Sequence, residues 1–80
     1  MKIKETLTLI DCQKVLNYHS NKKGDSWKIV PIDFLKLRLN EEYKEWVDCK
    51  EDLKREYCEL IDIINIAVML AERLRKEKVC

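Results

Sequence analysis

The feature that most constrains this chain is a long apolar segment near its C-terminus, where the polar residues form a single line. Between Tyr57 and Ala71 only three residues are strongly polar, namely Glu59, Asp62 and Asn65. The apolar residues cover nearly the whole circumference of a helix, and a helix that is apolar on all sides is buried on all sides. Because two shorter helices cannot surround it, this segment predicts that the chain packs against a copy of itself.

The remainder of the chain is also predicted to be helical, within one domain that spans residues 1–80. Gly and Pro each occur once among the 80 residues, whereas all-β domains need turn residues roughly every ten positions. We expect three helices, over about residues 8–18, 31–47 and 53–76. This pattern predicts an all-α, three-helix protomer that assembles as a homodimer or tetramer around a four-helix-type core.

Local signals indicate where these helices begin and end. Thr8 opens a sequence that resembles a capping box, and Pro31 fits a first helical turn. Asp48 or Asp52 is the N-cap candidate for the third helix, and Arg73 belongs to a basic last turn that matches the helix dipole. Apolar stripes in the first two helices are expected to face inward: Leu9, Cys12, Val15 and Leu16, then Leu35, Leu39, Tyr43 and Trp46.

Charge and hydropathy argue against several classes of protein. With 16 basic and 15 acidic residues the net charge is +1, which argues against a protein that coats nucleic acid. No stretch approaches the roughly 18 consecutive apolar residues of a membrane span, and the N-terminus lacks the apolar core of a signal peptide. We therefore expect a cytoplasmic protein.

The cysteines are expected to be reduced thiols in such a compartment. There are four of them, Cys12, Cys49, Cys58 and Cys80, with no CxxC spacing and a single His in the chain. A zinc site is therefore not favoured. Two disulfides are possible in principle, but nothing in the sequence supports a pairing.

Acidic pairs interrupt the apolar surfaces of two helices. Glu59 and Asp62 lie three residues apart in the third helix, and Glu42 and Glu45 lie three apart at or near the inward face of the second. Buried carboxylates are costly unless they are paired or bind a metal. In one interpretation they pair with lysines, or with an arginine across an interface. In the other they bind a hard cation such as Mg²⁺, which the absence of Lys and Arg along the middle of the third helix favours.

The segments LNEEYKEW (39–46) and CELIDIIN (58–65) resemble the two signatures of MazG-like nucleotide pyrophosphohydrolases. The family pattern is ExxE, a variable gap, then ExxD. Here it is Glu42-x-x-Glu45, thirteen intervening residues, and Glu59-x-x-Asp62. The resemblance covers about residues 8–74 and implies an all-α bundle assembled as dimers or tetramers.

The resemblance also implies a function, the Mg²⁺-dependent hydrolysis of (deoxy)nucleoside triphosphates to monophosphate and pyrophosphate, with Mn²⁺ as a second possible cofactor. Glu42, Glu45, Glu59 and Asp62 are then the metal-binding and catalytic residues, and which of them acts as general base is left open. Longer relatives continue into a fourth helix and a basic segment, so we expect a second subunit to complete the substrate enclosure here, or the enclosure to be incomplete.

Candidate substrate-binding residues follow from the same resemblance. Trp27 occupies a loop where related enzymes carry an aromatic that stacks on the nucleobase, although a loop Trp also commonly folds back onto its own domain. Asn65 either hydrogen-bonds a ribose hydroxyl or a metal-bound water, or pairs with a polar group on a partner helix. The remaining candidates would contact phosphate, or else lie on solvated faces: Lys14, His19, Lys28 and Arg38.

A different class of function also fits the sequence. The chain could be a non-enzymatic, homo-oligomeric interaction module whose acidic line is vestigial or structural. Binding of Mg²⁺ distinguishes the two hypotheses, because a cation that binds only the native state stabilises it.

Overall fold

The computed structural model describes residues 1–23, 26–49 and 52–77, and in these residues the chain is helical with no strand. The α-helices are α1 (Leu7–Lys23), α2 (Ile32–Asp48) and α3 (Leu53–Glu77). Short 3-10 helices, Ile3–Glu5 and Ser26–Lys28, precede α1 and α2. The predictions of an all-α chain and of three helices are confirmed. Helix α1 differs most from its expected bounds, because it starts earlier and continues to Lys23.

The N-terminal caps explain these helix starts. Thr6 caps α1, because its Oγ1 accepts a hydrogen bond from the Leu9 N–H at 3.3 Å while its hydroxyl donates to the Ile3 carbonyl. The prediction that Thr8 caps this helix is wrong, since the 3-10 turn before α1 brings the earlier threonine into the cap position. Asp52 caps α3, with its Oδ1 accepting the Arg55 N–H at 3.1 Å, as one of the two predicted alternatives.

Helices α2 and α3 form an antiparallel hairpin across the short connection that includes Cys49 and Asp52. Near this connection, Trp46 Nε1 donates to Glu56 Oε1 at 3.2 Å. Leu35 is buried on α2, and Ile61 and Ile66 are buried on α3. The contact between α2 and α3 is the most extensive between any two of the helices, and Ile61 also borders the groove between α1 and α3.

The inward stripe of α2 is shorter than the sequence pattern predicts. Leu35 is buried, and Leu39 and Trp46 are half-buried. Tyr43 remains 53% exposed, although its ring approaches that of Trp46 with centroids 5.8 Å apart. The prediction for Tyr43 is wrong because α2 packs on a single neighbour and buries only a narrow face.

Helix α1 packs against a neighbouring face of α3. Cys12 is buried at this contact, and Leu9, Val15 and Leu16 are half-buried, as the stripe predicts. Asn65 of α3 donates from Nδ2 to the Cys12 carbonyl at 3.1 Å. This buried hydrogen bond fixes the position of α1 along α3, because an amide without a partner in the core would be costly.

One face of α3 is left uncovered by α1 and α2. It consists of apolar residues at helical spacing, and we call it the outer stripe: Leu53, Leu60, Ile64, Val68, Ala71 and Leu74. Val68 is 54% exposed, and Leu60 and Ile64 are half-buried. The two shorter helices thus leave part of this apolar helix open, as expected. No helix within the described residues combines the length and hydropathy needed to cross a membrane.

The three cysteines among the described residues are free. Cys12 is buried, Cys49 is half-buried and Cys58 is exposed. Cys80, the fourth cysteine, lies outside the described residues.

Candidate metal centre and adjoining cleft

Three carboxylates from α2 and α3 meet where the two helices face each other. One oxygen from each of Glu42, Glu45 and Glu59 lies within 4.8 Å of the others. Glu42 and Glu45 are one turn apart on α2, and the antiparallel hairpin places Glu59 opposite them. We call these three residues the acidic cluster. They supply oxygen ligands only, which is the donor set that Mg²⁺ and Ca²⁺ prefer.

The acidic cluster is poorly compensated in charge. Burial raises the pKa of Glu59, and repulsion by Glu45, a hydrogen bond with the Glu45 carboxyl group and repulsion by Asp62 raise it further, while Arg55 opposes the shift. The pKa of Glu42 is raised by burial and by the nearby carboxylates, although Arg38 lies 3.7 Å from it and opposes the shift. Glu59 Oε2 is buried and has no hydrogen-bond partner among the described residues. A buried carboxylate oxygen without a partner is unusual, because its desolvation is not offset.

Asp62 lies one turn beyond Glu59 on α3 and does not join the acidic cluster. It is half-buried, and burial raises its pKa, with Glu45 adding to the shift and His19 and Arg38 opposing it. Within the described ranges no lysine or arginine forms an ion pair with Asp62. Its carboxylate therefore borders the cluster on one side and open space on the other.

That open space is a cleft of about 290 Å³ between the three helices and the segment that precedes α2. Six of the residues that line it were singled out by the sequence: His19, Trp27, Arg38, Glu42, Asp62 and Asn65. The apolar lining is Leu16, Val30, Phe34, Leu35, Ile66 and Met69. The cleft thus has a carboxylate-rich end and an aromatic end.

Asn65 contributes to the cleft wall from a position that is only 9% exposed. Of the two interpretations given for it, the hydrogen bond to Cys12 corresponds to pairing with a neighbouring helix, here in the same chain. That bond uses the amide nitrogen, and the amide oxygen is a separate acceptor that a ribose hydroxyl or a water can reach from the cleft.

Two of the predicted phosphate contacts lie outside the cleft. The Lys28 Nζ is 5.8 Å from the ring centroid of Trp27, but Lys28 does not line the cleft. Lys14 lines a separate groove between α1 and α3, beside Asp11, Tyr57 and Cys58. In that groove the Tyr57 hydroxyl donates to Asp11 Oδ2 at 2.6 Å.

Sequence reasoning missed two contributors to the cleft. Phe34 lines it although it lies off the inward stripe of α2 and is 48% exposed. Arg73 was assigned to the helix dipole, yet its Nη1 donates to the carbonyls of Trp27 and Val30. Pro31 is the signal that could have indicated this contact, because a proline removes a backbone donor beside those carbonyls.

No protein-family model, curated protein or solved structure matches this chain. Its function is therefore inferred from the residues of the acidic cluster and the cleft.

Proposed function

We propose that this chain is a Mg²⁺-dependent nucleotide pyrophosphohydrolase of the MazG-like type. Its substrates would be (deoxy)nucleoside triphosphates, and its products a nucleoside monophosphate and pyrophosphate. The proposal rests on the resemblance of the two acidic signatures to those of that family. It is supported by the proximity of Glu42 and Glu45 from the first signature to Glu59 from the second.

The observation that carries this proposal is the state of Glu59. Its Oε2 is buried without a partner, and two further carboxylates lie beside it. The nearby cations compensate this charge only in part, since Arg38 lies 3.7 Å from Glu42 and Arg55 acts on Glu59, yet the pKa values of both carboxyl groups stay raised. A divalent cation instead satisfies several carboxylate oxygens at once and removes their repulsion.

The spacing of the carboxylates is compatible with such a cation. Ligands on opposite sides of Mg²⁺ are separated by about 4.2 Å, twice the usual Mg–O distance. The oxygens of Glu42, Glu45 and Glu59 lie within 4.8 Å of one another, so small side-chain rotations bring them into range. These three residues would hold the metal, with Mn²⁺ as an alternative to Mg²⁺.

The cation, when bound, supplies stabilisation of the negative charge on phosphate and activation of water for attack. Asp62 would accept a proton from the attacking water, because it borders both the cluster and the cleft and its pKa is raised by burial. Arg38 lines the same end of the cleft and would contribute positive charge toward a phosphate. The leaving group is pyrophosphate.

The opposite end of the cleft suits a planar ring. Trp27 and Phe34 supply aromatic surface there, and Met69 and Val30 extend it. A nucleotide has both a polyanionic and an aromatic part, and the cleft offers a complementary region for each. This arrangement supports the substrate class but not the identity of the base.

A panel of nucleoside triphosphates with detection of pyrophosphate tests the activity. We expect release of pyrophosphate with Mg²⁺ and none with chelator. Asp62→Asn should abolish the activity, whereas Glu41→Gln should not. Glu41 is an exposed carboxylate next to Glu42 in the sequence, but it lies outside the cluster. Absence of hydrolysis across the panel would favour the non-enzymatic hypothesis.

We also infer that the chain forms at least a homodimer through the outer stripe of α3. A folded monomer of 9.6 kDa is expected to expose about 5,100 Å², whereas this chain exposes 6586 Å². The excess, roughly 1,500 Å², exceeds the approximately 800 Å² that each partner contributes to a stable interface. A second copy is the proposed occupant, since its own outer stripe is equally apolar and bears no charge between Leu53 and Leu74.

The oligomeric state tests this inference. Light scattering should give a mass of at least twice 9.6 kDa, and Val68→Asp should lower it. Leu37→Asp is the matched control, because Leu37 is similarly exposed but lies on α2. A wild-type monomer would overturn the inference, and dissociation by the control alone would move the interface to α2.

A further inference from the structure

The turn that carries Trp27 has two backbone carbonyls that its own backbone does not satisfy. Within this turn the N–H groups of Ile29 and Val30 both donate to the Ser26 carbonyl. The Trp27 carbonyl would next receive a bond from residue 31, but Pro31 has no N–H. The Val30 carbonyl likewise receives no bond from Phe34, whose N–H donates to Pro31 instead.

A single guanidinium group satisfies both carbonyls. Arg73 Nη1 donates to the Trp27 oxygen at 2.9 Å and to the Val30 oxygen at 2.6 Å. The Arg73 side chain is only 15% exposed, and its Nη2 lies 4.0 Å from Glu77 Oε1. The donor therefore comes from the last turns of α3, more than 40 residues away in the chain. The planar fork of an arginine holds this kind of geometry better than a lysine.

We propose that Arg73 is a positioning residue that holds the Trp27 turn in place as the wall of the cleft. Trp27 and Val30 both line the cleft, so the two carbonyls that Arg73 binds belong to residues of the wall itself. The two hydrogen bonds of Arg73 are sufficient by themselves to support its role in holding the turn. Only its consequence for substrate binding rests on the proposed nucleotide hydrolysis.

Arg75 provides a matched control two residues away on the same helix. Its guanidinium binds the carboxylate of Glu72 at 3.1 Å, and the side chain is 70% exposed. Like Arg73 it is a cation in the last turns of α3, but it binds none of the carbonyls of the Trp27 turn. An effect that came only from the helix dipole would be shared by both arginines.

The test measures the environment of Trp27 in nucleotide-free protein, in a Trp46→Phe background that leaves one tryptophan. Arg73→Gln should shift the Trp27 emission to longer wavelength and increase its quenching by acrylamide, whereas Arg75→Gln should do neither. Arg73→Lys keeps the charge but lacks the fork, so an intermediate quenching constant is expected. This variant also decides the question if Arg73→Gln does not fold. Emission and quenching unchanged from wild type in Arg73→Gln, or in Arg73→Lys if that is the variant that folds, would overturn the proposal.

Kinetics supply the second readout. Loss of the charged donor should raise KM for the nucleotide roughly tenfold, with kcat changed much less, because the acidic cluster is untouched. Equal losses in kcat and KM for both arginine variants would contradict a positioning role. If the wild type hydrolyses no nucleotide, the proposed function fails while the fluorescence arm still measures the role of Arg73.

Discussion

The two ends of the cleft are built in opposite ways. At the Trp27 end, Arg73 satisfies each of two backbone carbonyls that Pro31 and the local turn leave open. At the carboxylate end, Glu59 retains a buried oxygen without a partner, and burial together with the negative charges around it raises its pKa. The chain itself satisfies the backbone acceptors at the Trp27 end, whereas the carboxylate end keeps a buried acceptor without a partner.

Under the proposed function, this difference separates a residue that positions the cleft wall from residues that would bind a cation. A proton or cation is needed to complete the carboxylate end, because like charges in a poorly solvated place destabilise the fold. The Trp27 end needs no ligand to be ordered. We therefore expect substitutions that remove a charge at the carboxylate end to lower catalysis strongly. In the absence of a divalent cation, the same substitutions should leave the stability of the fold unchanged or raise it.

The largest expected effect is on hydrolysis. Glu59→Gln should lower kcat roughly 100-fold or more, since it removes a proposed ligand of a metal ion that contributes several kcal/mol and each 1.4 kcal/mol is tenfold. Asp62→Asn should lower kcat by about 100-fold or more as well, because it removes the proposed general base. Steady-state pyrophosphate release measures this, with Glu41→Gln as the control. Near-normal turnover in both variants would show that the carboxylate end of the cleft is not needed for hydrolysis.

The second effect concerns Mg²⁺ and thermal stability. A cation at 100 times its dissociation constant stabilises the native state by about 2.7 kcal/mol, which in a chain of this size is on the order of 10 °C in Tm. Glu59→Gln should gain less than wild type, because it removes one of the three proposed ligands.

In chelator, Asp62→Asn should melt at the same temperature as wild type or higher, because one repelling charge is gone. Removing one partner of a buried ion pair would instead cost about 3–5 kcal/mol with or without metal. Melting of Asp62→Asn several degrees lower in both conditions would show that the carboxylates are structural.

The third effect concerns binding at the aromatic end. Trp27→Ala should weaken nucleotide binding by about 1–3 kcal/mol, the range measured for a base stacked on an aromatic ring. Calorimetric titration with Mg²⁺ and a non-hydrolysable triphosphate measures it, and Trp46→Phe serves as the control. A nucleotide titration that leaves Trp27 fluorescence unchanged in the Trp46→Phe protein would count against stacking.

The smallest effect is a pH dependence of stability in chelator. The pKa values of Glu42, Glu59 and Asp62 are all raised, so the folded state holds protons that the unfolded chain has already lost. Stability contributed by these groups should therefore decrease as pH rises from about 4, the ordinary carboxylate value, through the raised values. Saturating Mg²⁺ should offset this decrease, because the cation binds the deprotonated carboxylates. A Tm of the wild type that rises with pH relative to that of Glu59→Gln in chelator would contradict the prediction.

Much of the local structure could be predicted from the sequence. The spacing of apolar residues and the near absence of Gly and Pro indicate three helices, and Asp52 was recognised as a cap candidate. The acidic pairs at i, i+3 necessarily share a helix face. These features depend on residues within about one turn of each other, because helical hydrogen bonds and capping act over that distance.

Contacts between distant segments were decided only by the tertiary structure. Which carboxylates meet depends on the register of α2 against α3, and this register brings Glu42, Glu45 and Glu59 together while Asp62 faces the cleft. The rotation of α2 leaves Tyr43 outside. The hydrogen bonds of Arg73 join segments more than 40 residues apart, and the spacing of apolar residues in the sequence does not predict them. Helix formation is local, whereas the register and rotation of packed helices depend on how whole side-chain surfaces fit together.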